Sequence, residues 1–124
     1  MAQKRIVICS DGTWNVLNPT DGSKPTNVAK IYNAILPIAP DGVRQLACYD
    51  PGIGSRGFFD WLVPGHTGIG LWRKVLCGYR FIAENWTPGD EVYLFGFSRG
   101  AYTVRCLAGF LGVAGLLDES ELPA

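Results

Sequence analysis

An α/β fold built on a short parallel sheet is predicted by three features of this sequence. Apolar runs typical of strands alternate with stripes at helical spacing, the strand-then-helix order occurs three times, and turn-forming Gly, Pro and Asp separate the elements. Parallel strands need long crossovers, and the helical stretches supply them.

Lys4 to Cys9 reads as the first strand, closed by Ser10-Asp11-Gly12-Thr13. After a polar loop, Val28, Ile31, Tyr32, Ile35 and Leu36 fall at i, i+3, i+4, i+7 and i+8, the stripe of an amphipathic helix. Thr26 is placed to cap it, and Pro37 and Pro40 stop it. Val43 to Tyr49 is a second strand ending at Asp50-Pro51-Gly52, and a glycine-rich loop runs from Gly52 to Gly68. Trp72, Val75, Leu76, Tyr79, Ile82, Ala83 and Trp86 then keep one helical face over about four turns. Pro88-Gly89-Asp90 is a sharp turn into Glu91 to Phe97, a third strand apolar enough to be covered on both faces. From Arg99 to about Leu117 the spacing is helical again, with Gly109, Gly112 and Gly115 making that helix thin. The resulting β-α-β-α-β-α chain is expected to place its first strand between the second and third.

With 124 residues, 48% hydrophobic and 18% charged, the chain has the makings of one core and is unlike a disordered segment. Eleven basic and eleven acidic residues give zero formal charge without a basic block, which argues against a nucleic-acid partner. Ile6 to Cys9 is too short for a secretory signal core. Val104 to Leu117, interrupted by Arg105, falls short of the roughly 20 apolar residues a membrane span needs, so the chain reads as soluble and cytoplasmic. Cys9, Cys48, Cys77 and Cys106 are widely spaced within apolar segments and read as free thiols. No cofactor and no metal is implied.

The chemistry centres on Gly96-Phe97-Ser98-Arg99-Gly100, a G-x-S-x-G between an apolar strand and a helix. A turn this tight forces a strained backbone on the serine, tolerated because glycines flank it at i−2 and i+2. The hydroxyl of Ser98 then stands at the carboxyl edge of the sheet, beside a helix N-terminus that favours a developing oxyanion. Arg99 N–H is the expected first oxyanion donor. The turn after the first strand is expected to provide the second, from Gly12 or Thr13 N–H, with Asp11 orienting that loop. The plainer readings are a serine that only caps a helix and an Asp turn that only ends a strand.

Several stretches occur together in one order: Cys9-Ser10-Asp11-Gly12-Thr13-Trp14-Asn15, Thr26-Asn27-Val28, Tyr49-Asp50-Pro51-Gly52-Ile53-Gly54, Pro88-Gly89-Asp90, and Gly96 through Arg105. In combination they resemble the N-terminal part of the α/β-hydrolase domain family that includes phospholipase effectors of bacterial type VI secretion. The resemblance implies hydrolysis of carboxylic esters by Ser98, phospholipid substrates, and export that needs no signal peptide. It also implies a histidine and an acid later in the chain, and neither has a counterpart here. The expectation is therefore a single truncated hydrolase domain over 1–124, whose missing part comes from elsewhere or which survives as an inactive remnant or interaction fragment. The unpaired third strand would then favour marginal stability or self-association.

Three other patterns weigh less. His66, the one histidine, precedes the nucleophile in sequence, where the family does not place its base. Gly52-Ile53-Gly54-Ser55-Arg56-Gly57 matches G-x-G-x-x-G but is followed by Phe58-Phe59-Asp60-Trp61, and no acid lies about 20 residues on. Cys9-Ser10-Asp11-Gly12-Thr13 looks like an aspartyl-phosphatase loop with Cys9 where the attacking carboxylate belongs.

Overall fold

A computed structural model describes residues 3–52, 68–117 and 121 of the chain. Three strands, β1 (Lys4–Ser10), β2 (Arg44–Asp50) and β3 (Glu91–Gly96), form one sheet in the order β2-β1-β3. Both pairings are parallel and in register, Ile8 lying opposite Cys48 on one side and Leu94 on the other. The crossovers carry helices α1 (Asn27–Ala34) and α2 (Gly68–Asn85), and α3 (Arg99–Ala114) follows β3. The expected alternation and the central position of the first strand are both found.

The period of two along β1 sorts its side chains onto two layers. Ile6 and Ile8 face α2 and α3, in a core with Val75, Tyr79, Ile82, Ala83, Val104 and Leu107. Val7 and Cys9 face the other way, onto Val28 of α1 and the half-buried Ile31, Tyr32, Tyr49 and Phe95. β1 is buried from Ile6 to Ser10, while β2 and β3 are only partly covered, as edges of the sheet are.

The boundaries move by a few residues for local reasons. α1 ends at Ala34, before Ile35 and Leu36, because Ile35 turns extended ahead of Pro37. Thr26 caps it, Oγ1 accepting from Ala29 N–H at 3.1 Å. β1 runs one residue further than its apolar run, since Ser10 pairs with both Asp50 and Gly96. α3 stops at Ala114 because Gly115 takes φ 71° and its N–H closes on Leu111 O at 3.0 Å. Tyr79 of α2 binds this end, donating to Gly115 O at 3.1 Å and accepting from Leu117 N–H at 3.0 Å.

Thr87-Pro88-Gly89-Asp90 has proline at its second position and Gly89 at φ 98°, the residues a type II turn asks for. It clamps the amino edge of the sheet. The Asp90 carboxyl group, closed to solvent, takes hydrogen bonds from Lys4 N–H (3.0 Å), Thr87 N–H (2.7 Å) and Thr87 Oγ1 (3.0 Å), and pairs with Lys4 Nζ. Burial pushes this carboxyl up, but Lys4 and the Thr87 donors outweigh it and hold it below the usual range. A depressed folded-state value stabilises above the unfolded value, and that stability disappears as pH falls through the folded one. Urea denaturation between about pH 7 and about pH 3 should therefore show an acid-labile component that Asp90→Asn removes. An unchanged pH slope in the variant would show that Asp90 does not carry it.

Candidate active site

The three strands deliver three loops to one carboxyl edge, and backbone hydrogen bonds lace them together. Asp11 N–H donates to Asp50 O at 2.9 Å, Phe97 N–H to Ser10 O at 3.1 Å, and Gly52 N–H to Asn15 O at 3.0 Å. Packing this close leaves no room for side chains. A Cβ on Gly52 would lie 1.6 Å from Gly12 O, and one on Gly100 would lie 2.2 Å from Ser10 O. These glycines are chosen for contact between backbones.

Ser98 sits at the turn between β3 and α3 with φ 53° and ψ −123°, a left-handed conformation that a non-glycine residue adopts at a cost. The elbow that requires it is closed by Gly100 N–H donating to Phe97 O at 2.9 Å and Ala101 N–H to Ser98 O at 3.0 Å. A Cβ on Gly96 would lie 2.6 Å from both Ala101 Cα and Gly100 O. Ser98 is exposed, and its hydroxyl does not cap α3, so the plain helix-cap reading does not describe it. Among the described residues, neither this hydroxyl nor Arg99 N–H has a hydrogen-bond partner.

The turn after β1 is built around a buried carboxylate. Asp11, 3% exposed, accepts from Gly12 N–H at 2.8 Å, from Thr26 Oγ1 at 2.9 and 2.8 Å, and from Tyr49 Oη at 2.5 Å. One side chain thus joins the loop after β1, the cap of α1 and the end of β2. No cation pairs with it among the described residues, and its hydrogen bonds all come from neutral donors. Burial first, and the Asp11 carboxylate second, push the Tyr49 phenol far above its ordinary value. It is therefore a permanent donor.

Gly12 N–H is already committed to Asp11, whereas Thr13 N–H, the other expected donor, has no partner among the described residues. Thr13 Oγ1 is buried with no partner. A Cβ on Gly12 would meet Phe97 Cδ1 at 2.9 Å and Phe97 O at 3.2 Å, so the glycine lets this turn approach the residue before Ser98. Asn15 N–H donates to Gly12 O at 3.0 Å and closes the turn, putting Trp14 at φ 67° and leaving it 66% exposed. For a bulky residue that conformation costs on the order of 1–3 kcal/mol.

A second network braces the β2 loop. Lys74 Nζ of α2 lies 2.6 Å from Asp50 Oδ1 and 2.5 Å from Pro51 O, and Ser10 Oγ donates to Asp50 Oδ2 at 3.2 Å. The expected residues Ser98, Arg99, Gly12, Thr13 and Asp11 thus share one edge of the sheet. Sequence reasoning gave no site role to Tyr49 or Lys74, and to Thr26 only its cap, because the sequence does not show which side chains meet Asp11 and Asp50 across the sheet edge.

Of the other patterns, His66 and positions 53–57 of the G-x-G-x-x-G lie outside the described residues. Gly52, which opens that pattern, has its physical reason in the Gly12 carbonyl it approaches. Cys9 is fully buried, and burial pushes its thiol up to about 11, which makes it inert. All four cysteines are free. Among the described residues no cluster suits a metal ion, and no helix is long and apolar enough to cross a membrane.

A three-stranded parallel sheet whose third strand turns into a helix through a strained, glycine-flanked serine defines a partial α/β fold. The family model for the catalytic domain of Tle1-like phospholipase effectors of type VI secretion matches residues 4–123, and the chain belongs to that family. The uncharacterized protein YEL023C of Saccharomyces cerevisiae is 34% identical over 130 residues, a match covering 94% of this chain and 18% of that protein. The chain thus spans under a fifth of that relative's length. No solved structure matches the chain.

Proposed function

We propose that this chain carries the nucleophile and oxyanion half of a serine ester hydrolase acting on the acyl esters of phospholipids. The backbone of Ser98 carries this reading: a strained φ of 53° exposes a hydroxyl that caps nothing, in a catalytic-domain family named for phospholipase effectors. Ser98 Oγ attacks the ester carbonyl carbon, and the carbonyl oxygen becomes the oxyanion. Arg99 N–H and Thr13 N–H receive it, aided by the positive end of α3. Asp11 is a positioning residue that holds the Gly12–Thr13 turn through Thr26 and Tyr49. The base that takes the Ser98 proton, and the acid behind it, come from hydrolase sequence other than the described residues.

The test is labelling with a fluorophosphonate probe, read by intact mass, beside Ser98→Ala. Labelling is expected in the parent when the hydrolase sequence that carries the base is present with it, and is absent in the variant. A folded parent that stays unlabelled would leave the second reading, a non-catalytic piece that works only beside further polypeptide. The outer edge of β3, which pairs with no other strand among the described residues, favours that second reading.

A further inference from the structure

Three large aromatic side chains stand in solvent on the segments that frame the nucleophile. Trp14 is 66% exposed, Phe97 50% and Tyr102 60%. Trp14 tips the turn that holds Thr13, Phe97 precedes Ser98, and Tyr102 donates its N–H to Ser98 O at 3.3 Å. Large exposed apolar residues on adjoining segments mark an interaction site, and a strained backbone at one of them points the same way. Arg99 and Arg105 lie on the exposed side of the same helix. Neither has an ion-pair partner among the described residues, and α3 contains no acid.

We propose that Trp14, Phe97 and Tyr102, with Arg99 and Arg105, form a face that docks on an anionic phospholipid bilayer. Docking would bring Ser98 to esters at the boundary between headgroups and acyl chains. The inference rests on the hydrolase reading and adds where the protein meets its substrate. Trp and Tyr suit that boundary because each ring has an apolar body and a polar tip. The two guanidinium groups complement anionic headgroups at the same depth. A protein partner seated on this face would close off the hydroxyl that the elbow exposes, whereas a bilayer supplies the ester.

The experiment is co-sedimentation of the chain with vesicles of phosphatidylcholine, alone or mixed equally with phosphatidylglycerol. Binding should need the anionic lipid and should persist in Ser98→Ala. Arg99→Gln with Arg105→Gln should weaken it by about thirtyfold, from about 1 kcal/mol per cation at the surface. Trp14→Ala with Tyr102→Gln should weaken it by about tenfold or more through lost apolar burial. Leu36→Ser with Ile38→Ser, exposed residues between α1 and β2, should leave it unchanged. Circular dichroism confirms that each variant is folded.

A folded chain that ignores anionic vesicles overturns the proposal, as does binding that both face variants retain. If those variants instead abolish concentration-dependent self-association, the face joins copies of the chain and the lipid proposal is wrong. Vesicle binding and fluorophosphonate labelling fail separately. Labelling without vesicle binding sinks the docking face alone, and vesicle binding without labelling sinks the hydrolase reading alone.

Discussion

Gly100→Ala should destabilise the chain by on the order of 3–5 kcal/mol, a large share of a domain's ~5–15 kcal/mol, and should abolish labelling of Ser98. A methyl group there would lie 2.2 Å from Ser10 O and 2.6 Å from Asp11 O. Both are backbone atoms, and neither can swing aside. Ser10 O accepts the last rung from Phe97, and the Asp11 backbone is fixed by its N–H to Asp50 O. Relief would have to come from moving α3 off the sheet, which unwinds the elbow. Gly109 in the same helix is the control, since nothing lies within 4 Å of a Cβ placed there. Gly109→Ala should stabilise by about 0.5–1 kcal/mol through helix propensity and a less flexible unfolded chain. Opposite shifts in urea midpoint would show that close approach to β1 selects Gly100. Equal shifts would show that helix propensity alone acts.

This contrast also marks how far the sequence could be read. Gly96 and Gly100 were legible because a serine stood between them at the end of an apolar strand, so the motif named its own geometry. The strand order followed from the apolar content of Ile6 to Cys9 and from the need of a parallel sheet for crossovers. Gly52 was not legible. Its nearest pattern in sequence pointed to a dinucleotide loop, while its actual constraint is a carbonyl 40 residues away, at Gly12. Tyr49 was hidden for the same reason. It comes beside Asp11 only because β1 and β2 pair with Cys9 opposite Tyr49, and period-two patterning fixes which face a side chain takes but not its partner. Trp14 carries no local sign of strain, since its positive φ follows from the turn that Asn15 closes.

Asp11→Ala should cost on the order of 3–5 kcal/mol and lower the labelling rate well beyond what lost stability explains. Removing the carboxylate leaves the half-buried Tyr49 and Thr26 hydroxyls and the buried Gly12 N–H without their acceptor. Each such orphan costs about 1–3 kcal/mol. Tyr49→Phe removes a single donor and leaves Thr26 and Gly12 in place, so a smaller loss of about 1–2 kcal/mol is expected. The functional consequence differs in kind. Asp11 touches no reacting atom, yet it fixes the Gly12 peptide that sets where Thr13 N–H points. A misplaced oxyanion donor slows the chemical step by about 100- to 1,000-fold without weakening ground-state binding. The decisive comparison is made at a temperature where Asp11→Ala and Tyr49→Phe are both still folded. There the saturating rate of fluorophosphonate labelling should fall far more in Asp11→Ala than in Tyr49→Phe, while the probe concentration at half-saturation stays near the parent's. Equal saturating rates in the two variants would reduce Asp11 to a structural tie between β1, α1 and β2.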